Sequence, residues 1–247
     1  CPSPLPRTLA HRKHSHDNGC MTAETITYAI GDVHGCADLL DALLERVEAH
    51  AAGRARKLVL LGDYIDRGPD SARVIETLRR LQWREPEAIV CLMGNHEAML
   101  LKSLHEAGAE EHWLMNGGLA TLQAFDVEEA AALPRDVLDW LEGLPTVHGD
   151  ARRWYVHAGF HPSASAPDPD VHNRIWIREP FLGDDHDFGR HVVHGHTPRQ
   201  DGRPEVRAYR TNLDTGAVYG AALTAGVFTE EQGPALTFLQ VRPGGEP

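Results

Sequence analysis

The sequence predicts an α/β domain, a two-sheet β-sandwich flanked by helices, with its chemistry gathered at the carboxyl ends of the strands. Three observations carry that expectation. Apolar runs of strand length end repeatedly in short loops bearing Gly and Asp, then pass into helical periodicity. Asp32, Asp63 and Asn95 close three such runs and stand 31 and 32 residues apart by subtraction, about the length of one βαβ unit. From Val206 to Val241, short apolar runs alternate with Gly and Asp turns, as antiparallel strands completing a second sheet would.

Thr25 to Ile30 reads as the first strand and runs into Gly31-Asp32-Val33-His34-Gly35. Asp32 and His34 are two residues apart, so an extended backbone projects them to the same side. Leu39, Leu43 and Val47 then share one face of a helix over Ala37–His50. The second unit repeats this order. Leu58-Val59-Leu60-Leu61 is a buried strand, Gly62-Asp63-Tyr64-Ile65-Asp66-Arg67-Gly68 a sharp loop, and Val74, Ile75, Leu78 and Leu81 mark a helix from about Asp70. The third runs from Ala88–Met93 through Gly94-Asn95-His96-Glu97 to a helix over Ala98–Ala107. With right-handed crossovers, three parallel strands deliver polar groups to one sheet edge, where ligands bind in open α/β sheets.

Residues 108–150 read as helical and peripheral, with Trp113, Leu119, Leu122 and Phe125 as core side chains. Trp154–Gly159 is a further strand ending in His157 and Gly159. Residues 160–187 form a long loop around Ile175-Trp176-Ile177-Arg178, and His191–Pro198 repeats the strand-then-His-Gly pattern. Residues 1–20 are rich in Pro, Arg and His, lack periodicity and precede Met21, so they are read as foreign to a single catalytic domain over 21–247.

Composition narrows the function. The net charge of −12 argues against a nucleic-acid backbone as partner. No apolar run approaches the ~18 residues of a membrane span. Four cysteines, Cys1, Cys20, Cys36 and Cys91, form no paired framework, so a reducing, cytoplasmic setting is expected. A monomer is the expected state.

The strand ends collect Asp32, His34, Asp63, Asn95, His157 and His196. Oxygen and imidazole donors without thiolate suit Mn, Fe or Zn. Six ligands are too many for one catalytic ion with an open position, and suit two ions sharing a carboxylate. His194 could face the same way as His196. His148, His161, His172, His186 and His191 read as solvated or loop residues, Glu97 as a residue favouring a helix start, and Tyr64 and Tyr219 as candidate borders of a pocket.

GDVHG (31–35), GDYIDRG (62–68), GNHE (94–97), HAG (157–159) and GHTP (195–198) resemble the phosphoprotein phosphatase family of calcineurin-like metallophosphoesterases, most of all its compact bacterial and phage serine/threonine phosphatases. LDTGAVYG (213–220) is similar to the closing strand of that group. The resemblance implies a first metal held by Asp32, His34 and Asp63, and a second held by Asp63, Asn95, His157 and His196. It implies His96 as general acid, Asp66 as its partner, and Arg67, Arg178 and Asn95 as substrate contacts. It prefers His196 to His194, because the family motif is Gly-His. The implied cofactor is two divalent ions, Mn2+ first, with Fe or Zn as alternatives. The implied reaction is hydrolysis of phosphoserine or phosphothreonine in proteins, with phosphotyrosine possible for the same chemistry, by in-line attack of a hydroxide bridging the metals. Symmetrical diadenosine tetraphosphate hydrolysis and small-molecule phosphoester hydrolysis are the enzymatic alternatives. Asp66 is expected to favour the protein phosphatase, since the tetraphosphatases tend to lack an acid there. A scaffold with dead chemistry is disfavoured by the presence of His96, Asp66 and both arginines.

Overall fold

The computed structural model describes residues 25–245, so the reading of residues 1–20 lies outside the described residues. The three predicted units form as read. β1 (Ile26–Ile30), β2 (Arg56–Leu60) and β3 (Ile89–Cys91) are parallel neighbours. They are joined by α1 (Ala37–Ala51) and α2 (Ser71–Arg84) and followed by α3 (Asn95–Ser103). Asp70 caps α2, its side chain accepting from the Arg73 amide at 3.0 Å, which fixes where the preceding loop must end.

α3 begins three residues earlier than the sequence suggests. Asn95, His96 and Glu97 lie in its first turn rather than in a loop. The reason is Glu97, whose carboxylate accepts the Gly94 amide at 2.9 Å and satisfies one of the orphan donors at the helix start.

The second sheet contains β4 (Val147–Gly149), β5 (Arg153–Val156), β6 (His191–His194), β7 (Glu205–Val206) and β8 (Arg210–Asn212), in the order β4-β5-β6-β8-β7. β5, β6 and β8 run parallel. The C-terminal strands depart from expectation. β9 (Leu223–Phe228) and β10 (Thr237–Val241) complete the first sheet, in the order β10-β9-β1-β2-β3, not the second. All six residues of β9 are buried, as a strand with packing on both faces requires. The segment 213–220 is likewise no strand. It is a loop after β8, buried over 213–217, that ends in a short 3-10 turn, Ala217–Tyr219, with Tyr219 64% exposed.

Strand alternation assigns the core. Ala29, Val59 and Leu61 of the first sheet meet Tyr155 and Val193 of the second between the sheets. Tyr28, Ile30, Leu58 and Leu60 face outward onto Leu40, Leu43, Val74 and Leu78 of α1 and α2. Among the described residues, the outer face of the second sheet has no such helical layer. Phe160, Ile177, Phe181 and Phe188 from the long loop cover it instead, and that loop contains one short helix, α7 (Val171–Trp176).

Between α3 and β4 lie α4 (Ala109–Trp113), a segment Leu114–Gly118 kinked at Gly117, α5 (Leu119–Ala124) and α6 (Arg135–Glu142). Trp113 and Leu122 are buried and Phe125 is partly so, but Leu119 is 56% exposed and is no core residue. His191, read as solvated, is buried in β6 with Nε2 at 2.8 Å from the Thr211 hydroxyl. Tyr64 borders no pocket, because its hydroxyl is buried against the Leu92 carbonyl at 2.7 Å.

Candidate active site and metal centre

The ends of β1, β2, β3, β5 and β6 bring Asp32, His34, Asp63, Asn95, His157 and His196 to one place, all of them buried. Backbone strain concentrates there. Seven non-glycine residues among those described have positive φ, and five of them are His34, Asp63, Asp66, Arg67 and His196. Such conformations persist only where the surroundings enforce them, and they cluster at functional sites. Two glycines permit the close approach. A Cβ on Gly94 would collide with the Asp63 carboxylate, and one on Gly195 with Asp32.

Asp63 is the centre of the arrangement. Its Oδ2 lies 3.4 Å from His34 Nε2 and its Oδ1 3.4 Å from His157 Nε2. Two triads with ligand atoms within 4.8 Å of one another share it: His34, Asp63 and His96, and Asp63, His157 and His196. Asn95 Oδ1 is 2.9 Å from His157 Nε2 and 2.8 Å from His196 Nδ1. Asp32 stands at the side of these triads, its carboxylate accepting the His196 amide at 3.1 Å.

The donor set fits divalent cations. His34 Nδ1 donates to the Ile65 carbonyl at 2.9 Å and His157 Nδ1 to the Leu61 carbonyl at 3.0 Å. Each ring therefore turns an Nε2 lone pair toward Asp63, the tautomer that ligation needs. Burial holds His34 and His196 near 3, so both are neutral at ordinary pH. Burial, Asp214 and Asp63 push the Asp32 carboxyl well up, and burial raises Asp214 to about 7 against the pull of the Gly216 amide. Converging lone pairs and crowded buried carboxylates are the environment a pair of divalent ions would neutralise.

His96 stands beside His34 and Asp63 in the first triad. Its ring meets His34 edge-on at 4.7 Å between centroids. Its Nδ1 donates to Asp66 Oδ2 at 2.7 Å. Burial opposes its charge, yet Asp63 and Asp66 outweigh it and raise its pKa. Arg67 Nη1 reaches His34 Nε2 at 2.7 Å, and Arg67 is exposed. Arg178 is exposed too, close enough for its charge to act on His157, His196 and Asp214.

Four residues carry more of this site than their sequence context suggests. Glu97 accepts from the amides of Asp63 at 2.9 Å and Tyr64 at 2.7 Å as well as Gly94, and so ties the second loop to the third. Trp113 and Thr121, from a region read as peripheral, hold Asp66: Trp113 Nε1 donates to Oδ2 at 2.9 Å and Thr121 Oγ1 to Oδ1 at 2.6 Å. The kink between them, at Gly117 with φ 109°, places the Gly117 carbonyl on the Arg67 amide at 3.1 Å. Trp176 meets the His196 ring edge-on at 6.2 Å. Only Glu97 had a signal in sequence, its place three residues after Gly94.

The role of Glu97 has a measurable consequence. Glu97→Gln replaces one accepting oxygen with an NH2 group that faces backbone donors. Leaving a buried donor unsatisfied costs about 1–3 kcal/mol, so the melting temperature of Glu97→Gln should fall by several degrees. An unchanged melting temperature would show that the clamp is not needed to hold the loops.

A sandwich with buried imidazoles, carboxylates and an amide around a shared Asp, flanked by two arginines, defines a metal-binding hydrolase of phosphoesters. The chain belongs to the calcineurin-like phosphoesterases, whose family pattern matches residues 27–221. It is 40% identical over 141 residues to the symmetrical bis(5'-nucleosyl)-tetraphosphatase of Dechloromonas aromatica, a match covering 57% of this chain and 46% of that protein. Other matches at 35–36% identity carry the same description. Serine/threonine-protein phosphatase 1 of Salmonella typhimurium is 31% identical over 205 residues, covering 80% of this chain and 89% of that one. A serine/threonine phosphatase of Saccharomyces cerevisiae shares the fold at a TM-score of 0.63 and 14% identity, covering 92% of this chain and 82% of that chain. The chain spans about half the length of the tetraphosphatases it matches.

These relatives overturn the expectation of a phosphoprotein phosphatase. The expectation rested on the motif resemblance, with Asp66 used to set the tetraphosphatases aside, while several relatives at 35–40% identity are tetraphosphatases. Asp66 orients His96, a task that does not depend on what the leaving oxygen is attached to.

Proposed function

We propose that the chain hydrolyses dinucleoside tetraphosphates symmetrically, cutting the central anhydride of the four-phosphate bridge to give two nucleoside diphosphates. The observation that supports this most is the 40% identity to a symmetrical tetraphosphatase, joined to a site built for phosphoester hydrolysis. Asp32, His34 and Asp63 would hold one divalent ion, and Asp63, Asn95, His157 and His196 the other, with Mn2+ as the proposed metal. When bound, the pair neutralises charge on the phosphoryl oxygens.

The chain's own groups do the rest. Arg67 and Arg178 grip non-bridging oxygens through planar guanidinium forks that match phosphate. Water adds to one central phosphorus as the P–O bond to the bridging oxygen breaks. His96 gives its proton to that departing oxygen, which leaves as the terminal phosphate oxygen of a nucleoside diphosphate. Asp66, held by Thr121 and Trp113, keeps the donating tautomer in place.

Diadenosine tetraphosphate tests this directly. Metal-loaded protein should convert it to ADP alone, read by ion-exchange chromatography of the nucleotides. ATP and AMP in equal amounts, or no turnover while a nitrophenyl phosphate is cut, would overturn the reading.

A further inference from the structure

We propose that the cleft between α3 and α7 is the subsite for one nucleobase of the substrate, with Trp176 and His172 as its stacking wall. This rests on the reading of the substrate as a dinucleoside polyphosphate.

The cleft has a volume of about 420 Å3 and is lined by Ala98, Met99, Lys102, Ala107, His172 and Trp176 among others. Its position follows from Trp176. That indole makes a T-shaped contact with the ring of His196, 6.2 Å between centroids, and is stacked by His172 at 6.2 Å with 23° between the planes. The cleft therefore begins one side chain away from the phosphoryl site. Only a phosphate and a ribose separate the scissile phosphorus from a base in a symmetrical cut, so the base must lie near the site without entering it.

The chemistry of the walls selects the occupant. Ala98 and Met99 give a small, apolar floor from α3. Trp176 is half-buried and His172 exposed, so one ring is fixed and the other is free to close on a planar guest. Lys102 is exposed on the rim and paired with Glu106 at 3.1 Å, which sets hydrogen-bonding groups at the mouth rather than inside. A cleft bordered by the Trp176 and His172 rings, with Ala98 and Met99 in its lining and exposed Lys102 and Glu106 beside them, fits a heterocyclic base. Stacking of this kind tolerates any base, because every base has a π face.

The subsite can be measured by binding, independently of turnover. Calorimetry of metal-loaded protein compares ADP with pyrophosphate, which share the diphosphate and differ by the nucleoside. ADP should bind about 5- to 150-fold more tightly, the range expected for base stacking on an aromatic side chain. His172→Ala removes the mobile half of the wall, and Ala107→Trp fills the cleft from an exposed position. Both should bring the two affinities together. Equal affinities in the wild type, or an ADP advantage that survives both substitutions, would overturn the subsite. If ADP shows the advantage and loses it in both variants while diadenosine tetraphosphate is not cut, the subsite stands and the tetraphosphatase reading falls.

Discussion

Asp63→Asn should strip divalent metal from both positions and lower turnover by at least about 10³-fold. Asp63 is the residue common to both ligand triads. Each of its oxygens faces a different imidazole at 3.4 Å. Its replacement removes the charge that the two proposed ions would share, and the neutral imidazoles of His34, His157 and His196 cannot make up that loss. Metals of this kind supply several kcal/mol of transition-state charge stabilisation, and each 1.36 kcal/mol is tenfold in rate. The fold should survive, because Asn has the same shape and its amide oxygen can still accept the His96 amide that Asp63 Oδ1 now accepts at 3.0 Å. Elemental analysis beside turnover and thermal melting reads all three quantities. Two ions retained at full activity in Asp63→Asn, or full wild-type activity with one ion per chain, would remove the shared-ligand mechanism.

What could be read from the sequence followed from how local each feature is. The strand–loop–helix units were legible because apolar runs, glycines and helical periodicity are all contained within 25 residues. Asp32, Asp63, Asn95, His157 and His196 could be grouped because each terminates such a run, and parallel strands with right-handed crossovers bring their ends together. β9 was misplaced because its partner β1 lies almost 200 residues earlier in the chain, and nothing in a six-residue apolar run names its neighbour. Trp113 and Thr121 gave no signal, since a buried Trp and a buried Thr are ordinary core residues until the Asp66 carboxylate is seen between them. The substrate was misread for a related reason. Asp66 contacts His96 within the motifs, whereas the cleft proposed for the base is assembled from α3, α4 and α7 only in the folded chain.

His96→Asn should keep both metals and the fold, and lose activity by an amount set by the leaving group. Two assignments compete on the geometry. His96 lies in a triad with His34 and Asp63 at ligand distances, yet it is committed through Nδ1 to Asp66 at 2.7 Å and carries a raised pKa. A metal ligand must be neutral, whereas a general acid must be protonated, and the Asp66 contact favours the protonated form. If His96 is the acid, its loss should cost roughly 10²–10⁴-fold on an alkyl phosphate, whose alkoxide is strongly basic. A nitrophenyl ester should lose far less, because its leaving group departs without a proton. Diadenosine tetraphosphate should fall nearer the nitrophenyl ester, since the phosphate it releases has a second ionisation near pH 6. Asp66→Asn should show the same order in milder form, because it removes the support and leaves the acid. Rate constants for each variant on the three substrates, with metal content measured in parallel, decide between the assignments. An equal loss on all three, or metal depletion in His96→Asn, would move His96 from the proton path into the ligand shell.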